Sequence, residues 1–83
     1  MSRLSIIEKL NLFEVFYVTI KSGGSLVASS KLNMSCSEID ATLKDLENEL
    51  GVSLYIKTDE TYGLTMAGDY LINKLDYILG LID

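Results

Sequence analysis

Near the N-terminus of the chain, apolar residues recur at intervals of three and four, which is the spacing of one face of a helix. They are Ile6, Leu10, Phe13, Tyr17 and Ile20. Other sides of the same segment are apolar as well, for example at Leu12, Val15 and Phe16. Such a helix is expected to be covered both by its own core and by something else. The sequence Ser22-Gly23-Gly24 is typical of a helix end.

Capping residues divide the next part of the chain into two helices. Ser25 can cap a short second helix, and Asn33-Met34 makes a tight turn because Asn tolerates the left-handed backbone conformation. Ser35 and Glu38 have the spacing of a capping box, in which each side chain bonds the other residue's backbone N–H. The third helix then ends at Gly51. Its apolar stripe consists of Ile39, Leu43, Leu46 and Leu50.

After this helix, the apolar period changes from that of a helix to that of a strand. The apolar residues Val52, Leu54 and Ile56 alternate with Ser53, Tyr55 and Lys57. The segment 59–61 turns the chain back toward Leu64, so we predict a short hairpin. Thr65 can cap a last helix. Its apolar stripe consists of Leu71, Leu75, Ile78 and Ile82.

The order helix, helix, helix, hairpin, helix predicts a mainly α fold, the winged helix-turn-helix. We expect a single domain over residues 1–83. Within it, the helix-turn-helix covers about 25–51, the hairpin wing about 52–64 and the last helix about 65–82.

Length and composition exclude several classes of protein. Eighty-three residues, 48% of them apolar, suffice for one folded domain. No apolar run approaches the roughly 18–20 residues that cross a bilayer, and no signal-peptide pattern is visible. We therefore expect a soluble, cytoplasmic protein with no membrane partner. The single cysteine, Cys36, fits a reducing compartment. Since there is no histidine, we expect no metal site, no cofactor, no catalytic residues and no enzyme activity.

The distribution of charge bears on nucleic-acid binding. The net charge is −5, whereas a free-standing nucleic-acid binder is usually basic because phosphate neutralisation supplies most of its non-specific affinity. Residues 24–51 contain two lysines and five carboxylates, a net charge of −3. The third helix, which would face DNA in a helix-turn-helix protein, thus lies in the most acidic part of the chain.

The order and spacing of these residues resemble the N-terminal DNA-binding domain of LysR-type transcriptional regulators, from about Leu10 to Leu75. The most specific match is Leu46-Glu47-Asn48-Glu49-Leu50-Gly51-Val52 followed by Leu54-Tyr55. Further matching residues are Leu12-Phe13, Phe16, Ser22-Gly23, Leu32, Leu64-Thr65 and Ala67-Gly68. The resemblance implies a winged helix whose last helix is of the linker type and mediates dimerisation. Full-length family members also carry a large ligand-binding domain, so the sequence is either a trimmed domain or a naturally minimal protein.

The third helix departs from the recognition helix of that family, which begins Ser-Gln-Pro-Ala-Leu-Ser-Arg. Ser35 is kept and Ile39 stands for the leucine, but Asp40 replaces the second serine and Ala41 replaces the arginine. Lys44 is the only basic residue left in the helix. The Gln, Pro and Ala positions are occupied by Cys36, Ser37 and Glu38.

The wing and the second helix depart as well. Lys57 preserves a usual arginine of the wing, whereas Glu60 falls where a second arginine meets the minor groove in the family. The sequence Gly24-Ser25-Leu26 is similar to the family's Gly-Ser-Phe but lies one residue out of register with Leu32, which predicts a shortened or rotated second helix.

By resemblance, the protein is expected to be a transcriptional regulator that reads double-stranded DNA with the third helix and the wing. The expected DNA-binding residues are Ser35, Ser37, Thr42, Lys44 and Lys57. The expected dimerisation residues are Leu71, Leu75, Ile78 and Ile82. We expect a homodimer or heterodimer that forms through the first and last helices.

The acidic residues leave a second function open. Glu38 and Asp40 can be a capping residue and a solvated side chain, and a carboxylate can also read a cytosine amino group. Alternatively, they remove DNA affinity. In that case the chain is a DNA-binding-deficient winged helix that acts by protein contact, by pairing with a full-length regulator or by mimicking the charge of DNA.

Overall fold

The computed structural model describes residues 6–59 and 61–80. The described elements are, in chain order, α1 (Ile6–Lys21), α2 (Ser25–Leu32), α3 (Cys36–Leu50), β1 (Tyr55–Thr58), β2 (Thr61–Leu64) and α4 (Met66–Gly80). The predicted order of elements and the mainly helical winged fold are thereby confirmed. Among these described residues, no helix is long and apolar enough to cross a membrane.

The centre of the core lies between α1 and α3. Ile39, Leu43 and Leu46 of α3 are fully buried, as their predicted stripe requires. Leu50, the last member of that stripe, is exposed because it lies at the open end of the helix. The other elements contribute the buried residues Leu12, Val15, Phe16, Ala28, Leu54, Ile72 and Leu75. Burial of this apolar surface is the main stabilising term for the fold.

α1 packs on the core through a face that differs from its most regular apolar stripe. Leu12, Val15 and Phe16 are buried, whereas Leu10 of the predicted stripe is 60% exposed. Phe13, Tyr17 and Ile20 are half-buried, and the side chain of Ile6 lies outside the described residues. The helix is apolar on two sides, as predicted, and the spacing alone does not show which side faces the core.

The ends of the helices follow from local backbone chemistry. Asn33 and Gly51 adopt the left-handed conformation and close α2 and α3, as predicted. The Ser35–Glu38 capping box is also confirmed, with both of its hydrogen bonds formed. The prediction that Ser25 caps α2 is wrong. The cap is Gly24, whose carbonyl accepts the first helical hydrogen bond from the N–H of Ala28, so the helix starts one residue early.

The predicted hairpin is present, but its apolar alternation does not coincide with burial. Leu54 is buried, but Val52 is exposed and Ile56 is 62% exposed. The strands pair with Tyr55 opposite Leu64 and Lys57 opposite Tyr62, so these four residues share the face toward the helices. Leu54 lies before the first residue of β1, so its burial does not predict which residues of the strand are buried. Glu60, in the turn, lies outside the described residues.

α4 begins where the hairpin ends. The hydroxyl of Thr65 accepts a hydrogen bond from the N–H of Gly68 at 3.1 Å, which confirms Thr65 as the cap. The same hydroxyl donates to the carbonyl of Ser53 at 2.6 Å. One end of α4 is thereby attached to the chain segment that precedes β1.

A polar cluster joins α4 to α1. The hydroxyl of Tyr17 donates to Asp76 at 2.7 Å, and the ammonium group of Lys21 lies 3.0 Å from the same carboxylate. These hydrogen bonds, with that from Tyr17 first, lower the pKa of Asp76. The cluster therefore fixes the middle of α4 against the end of α1.

We expect Gly68→Ala to destabilise the fold by about 3 kcal/mol, although alanine is the better helix former. A Cβ atom at this position would lie 1.9 Å from the carbonyl oxygen of Leu54, which is backbone and has little freedom to move. Chemical denaturation measures the loss. Gly63→Ala is the matched control, since its Cβ would meet only one backbone oxygen, at 3.7 Å. Equal stability of the two variants would contradict the close approach of α4 to Leu54.

Candidate nucleic-acid interface

Burial of one side of α3 leaves its opposite side open. Since Ile39, Leu43 and Leu46 face the core, the exposed side carries Ala41 and Lys44 among others. The hairpin lies beside this helix and contacts it through the side chains of Lys57 and Tyr62. A helix with a free outer face and a hairpin at its flank is the arrangement with which winged helix-turn-helix proteins meet a groove of DNA.

Asp40 is one of the residues through which α3 contacts the hairpin. Its Oδ1 accepts a hydrogen bond from the hydroxyl of Tyr62 at 2.6 Å, and its Oδ2 lies 2.8 Å from Nζ of Lys57. Partial burial by itself raises the pKa of Asp40, but the two hydrogen bonds and the lysine charge outweigh it and lower this pKa. The same contact with Asp40 raises the pKa of Lys57. Both groups therefore stay charged at neutral pH.

Lys44 lies further along α3 and is largely free to meet a ligand. Its side chain is 67% exposed, with Nζ 3.6 Å from Glu47 and 6.0 Å from the ring centre of Tyr55. Interactions at these distances on the surface are weak. Of the five predicted DNA-binding residues, Lys44 is the cation with the greater freedom, because Lys57 is held by Asp40.

The three predicted hydroxyl donors lie in the first half of the third helix or at its cap. The hydroxyl of Ser35 accepts a hydrogen bond from the N–H of Glu38 in the capping box, and Thr42 donates to the carbonyl of Glu38 at 2.8 Å. Ser37 is exposed in the first turn. The hydrogen bonds with Ser35 lower the pKa of Glu38, the one from its backbone N–H most strongly. Ser37 is thus the hydroxyl best placed to reach outward.

Glu47 has a structural role that the sequence analysis missed. Its carboxylate accepts hydrogen bonds from the backbone N–H groups of Leu54 and Tyr55, at 2.7 and 3.4 Å, and its side chain is only 11% exposed. A carboxylate in the last turn of a helix is opposed by the helix dipole, so its presence there indicates a specific donor nearby. Glu47 therefore faces the start of the hairpin and not a ligand.

We expect Glu47→Ala to lower stability by about 1–3 kcal/mol, since the N–H of Leu54 would lose its acceptor. Glu47→Gln keeps an acceptor oxygen and should lose less. Urea denaturation measures the free energy of unfolding of the two variants. Asn48→Ala, at the neighbouring exposed residue, is the control. A loss of similar size in Asn48→Ala would contradict this role of Glu47.

The outer surface of α4 is apolar but differs from the predicted dimerisation stripe. Leu75 is buried in the core of the chain, Leu71 is half-buried and Ile78 is exposed. Ile82 lies outside the described residues. Among the side chains that the structure describes, the large exposed apolar residues of α1 and α4 are Leu10, Met66, Tyr70, Tyr77 and Ile78. An apolar surface of this kind is typical of a protein interface.

Comparison with known proteins identifies similar sequences. A family model described as bacterial regulatory helix-turn-helix protein, lysR family, matches residues 10–69. The HTH-type transcriptional regulator YofA of Bacillus subtilis is 30% identical over 70 residues, which are 84% of this chain and 25% of that protein. The HTH-type transcriptional activator AaeR of Escherichia coli is 38% identical over 61 residues, 74% of this chain and 20% of that protein. The chain thus spans a quarter or less of the length of these curated relatives.

Solved structures share the fold. The DNA-binding domain of CbnR, in a crystal structure of its complex with DNA, matches with a TM-score of 0.76 and 26% identity, over 87% of this chain and 83% of that one. The full-length virulence activator AphB of Vibrio cholerae matches with a TM-score of 0.82 and 20% identity, over 88% of this chain and 25% of that one. The latter shows likeness of fold alone.

Proposed function

Because this chain belongs to the lysR family of bacterial regulatory helix-turn-helix proteins, we propose that it binds duplex DNA as the DNA-binding domain of a transcriptional regulator. α3 enters the major groove, and the hairpin lies along the neighbouring backbone. The likeness of fold to the CbnR domain that was crystallised with DNA supports this docking. The relatives are transcriptional regulators, which favours binding over enzyme activity.

The observation that carries the proposal is the open side of α3. Residues on this side contribute little to the core and are free to contact DNA. The helix can therefore enter the major groove, which is about 12 Å wide, without any change in the packing of the core. Lys44 and Ser37 are exposed there, and Lys31 is exposed at the end of the preceding helix. These groups are donors suited to phosphate oxygens. We infer that Ser35, Thr42 and Lys57 complete the contacts.

The net charge of −5 has a consequence for affinity. With few cations near the groove, attraction to phosphates is weak, so non-specific binding should be measurable only at low salt. Contacts to base edges must then supply a larger share of the affinity for a regulated site.

We expect the wild-type protein to bind a fluorescein-labelled random-sequence duplex at low salt in anisotropy titrations. Lys44→Ala removes a phosphate contact, so the slope of log affinity against log salt should become shallower by about 0.9. Lys74→Ala is the matched control, since Lys74 is an exposed lysine on α4 that packs near the ring of Tyr70. It should leave the slope unchanged.

A gain-of-function variant sharpens this experiment. Ala41→Arg adds a cation on the exposed side of α3 and should tighten binding. If neither this variant nor the wild-type protein binds at the lowest salt, the DNA proposal is wrong. The chain would then act by contact with another protein, and a full-length regulator of the same family would be the first partner to test.

We further infer that the chain forms a homodimer or heterodimer through its first and last helices. The apolar residues Leu10, Tyr70, Tyr77 and Ile78 support this, because they are exposed in the single chain and lie on those two helices. Leu71 and Ile82 stay in this proposal on the sequence pattern alone, whereas Leu75 supports α4 from the core. Two copies would present two α3 helices to successive major grooves.

Ile78→Asp should shift the dimer to monomer, because a carboxylate in an apolar interface is costly unless it is paired. Analytical ultracentrifugation of both proteins over a concentration series measures the shift. Leu26→Asp is the matched control, since Leu26 is an exposed apolar residue on α2. A wild-type protein that stays monomeric at high concentration would contradict homodimerisation.

A further inference from the structure

Asp40 occupies a position that conflicts with DNA binding at first sight. It stands on α3, at the flank that contacts the hairpin, and its side chain is 38% exposed. A carboxylate there repels phosphate. Yet its two oxygens each hold a donor of the hairpin, the ammonium group of Lys57 at 2.8 Å and the hydroxyl of Tyr62 at 2.6 Å. Both oxygens of the Asp40 carboxylate are therefore already bonded to the hairpin when a ligand approaches.

These two contacts have separate effects. The hydrogen bond from Tyr62 joins residues 22 positions apart and holds the hairpin face against α3. The ion pair compensates the charge of Lys57, whose side chain is also 38% exposed and lies 5.6 Å from the ring centre of Tyr62. A phosphate that approaches the hairpin meets a lysine that is already paired. It must displace Asp40 before it gains a full contact.

We propose that Asp40 is a positioning residue that holds the hairpin against α3 and withholds Lys57 from phosphate, so that it sets a low affinity for random-sequence DNA. This inference rests on the proposed function. In a loosely bound complex the phosphate does not replace the carboxylate of Asp40, and Lys57 contributes little. Where other contacts fix the duplex firmly, a phosphate takes the place of Asp40. Asp40 thereby increases the ratio between the affinity for a specific DNA site and the affinity for random-sequence DNA.

The test compares Asp40→Asn with wild type on a random-sequence duplex between 50 and 200 mM salt. Release of one lysine should make the slope of log affinity against log salt steeper by about 0.9, so that affinity falls roughly threefold more over this range. Asp45→Asn is the matched control, because it removes the same charge from an exposed position of α3. Asp40→Ser is a second variant, and circular dichroism verifies that each variant is folded.

The decisive variant is Asp40→Asn in a Lys57→Ala background. If Asp40 acts mainly by withholding Lys57, its replacement changes the slope much less when the lysine is absent, because only the repulsion by the unpaired carboxylate is then removed. Binding by Asp40→Asn where wild type shows none would support the inference as well.

Two results would overturn it. A slope that is unchanged in Asp40→Asn, or a change of the same size without Lys57, disproves the role of Asp40 and leaves the proposed function intact. If wild type, Asp40→Asn and Ala41→Arg all fail to bind at the lowest salt, the proposed function itself is wrong, and this inference falls with it.

Discussion

The position of the hairpin depends on the backbone of one residue, Leu54. Its N–H donates to the carboxylate of Glu47 at the end of α3, and its carbonyl accepts from the N–H of Thr65 at the start of α4. Its side chain is buried, and Gly68 lets α4 approach its carbonyl closely. Both backbone polar groups of Leu54 are therefore satisfied, one by Glu47 of α3 and the other by Thr65, the cap of α4, and these bonds fix the direction in which the hairpin leaves the core. The orientation of the wing relative to α3 follows from this junction.

The two ends of the hairpin are held by different kinds of interaction. At its base, backbone groups and a nearly buried carboxylate leave little freedom, and packing against α4 adds to the constraint. Along its face, the exposed side chain of Lys57 and the half-buried side chains of Asp40 and Tyr62 make the contact. Surface ion pairs contribute little to stability, so this second contact can be exchanged for a ligand at small cost. The base thus fixes where the wing stands, and the face determines what it offers to DNA.

Local patterns predicted the helices well and the hairpin poorly. The α3 stripe, the capping box and the left-handed residues depend on neighbours within four positions, and the sequence displays them directly. The hairpin face and the core side of α1 depend on distant elements. Of the alternating residues Val52, Leu54 and Ile56, only Leu54 is buried. Leu54 lies in the segment between α3 and β1, so its burial does not set the buried face of the strand. Likewise, no local pattern joins Asp40 to Tyr62 or Glu47 to Leu54, since three-dimensional contact alone brings them together.

The structure also changes what the acidic residues of α3 mean. The formal charge of residues 24–51 argues against DNA, but the carboxylates of Glu38, Asp40 and Glu47 are directed to partners within the chain. Glu38 bonds the N-terminal end of the helix, Asp40 pairs with Lys57, and Glu47 bonds the backbone before β1. Each of these negative charges is compensated by a nearby positive charge or by N–H dipoles, so its field is weaker at the distance of a phosphate than the formal count implies. A helix that is acidic by composition can therefore present a less acidic surface than its formal charge implies, with both Lys44 and Asp45 exposed. For this reason the charge of the chain opposes DNA binding less than its sequence indicates, and the geometry of α3 and the hairpin carries more weight.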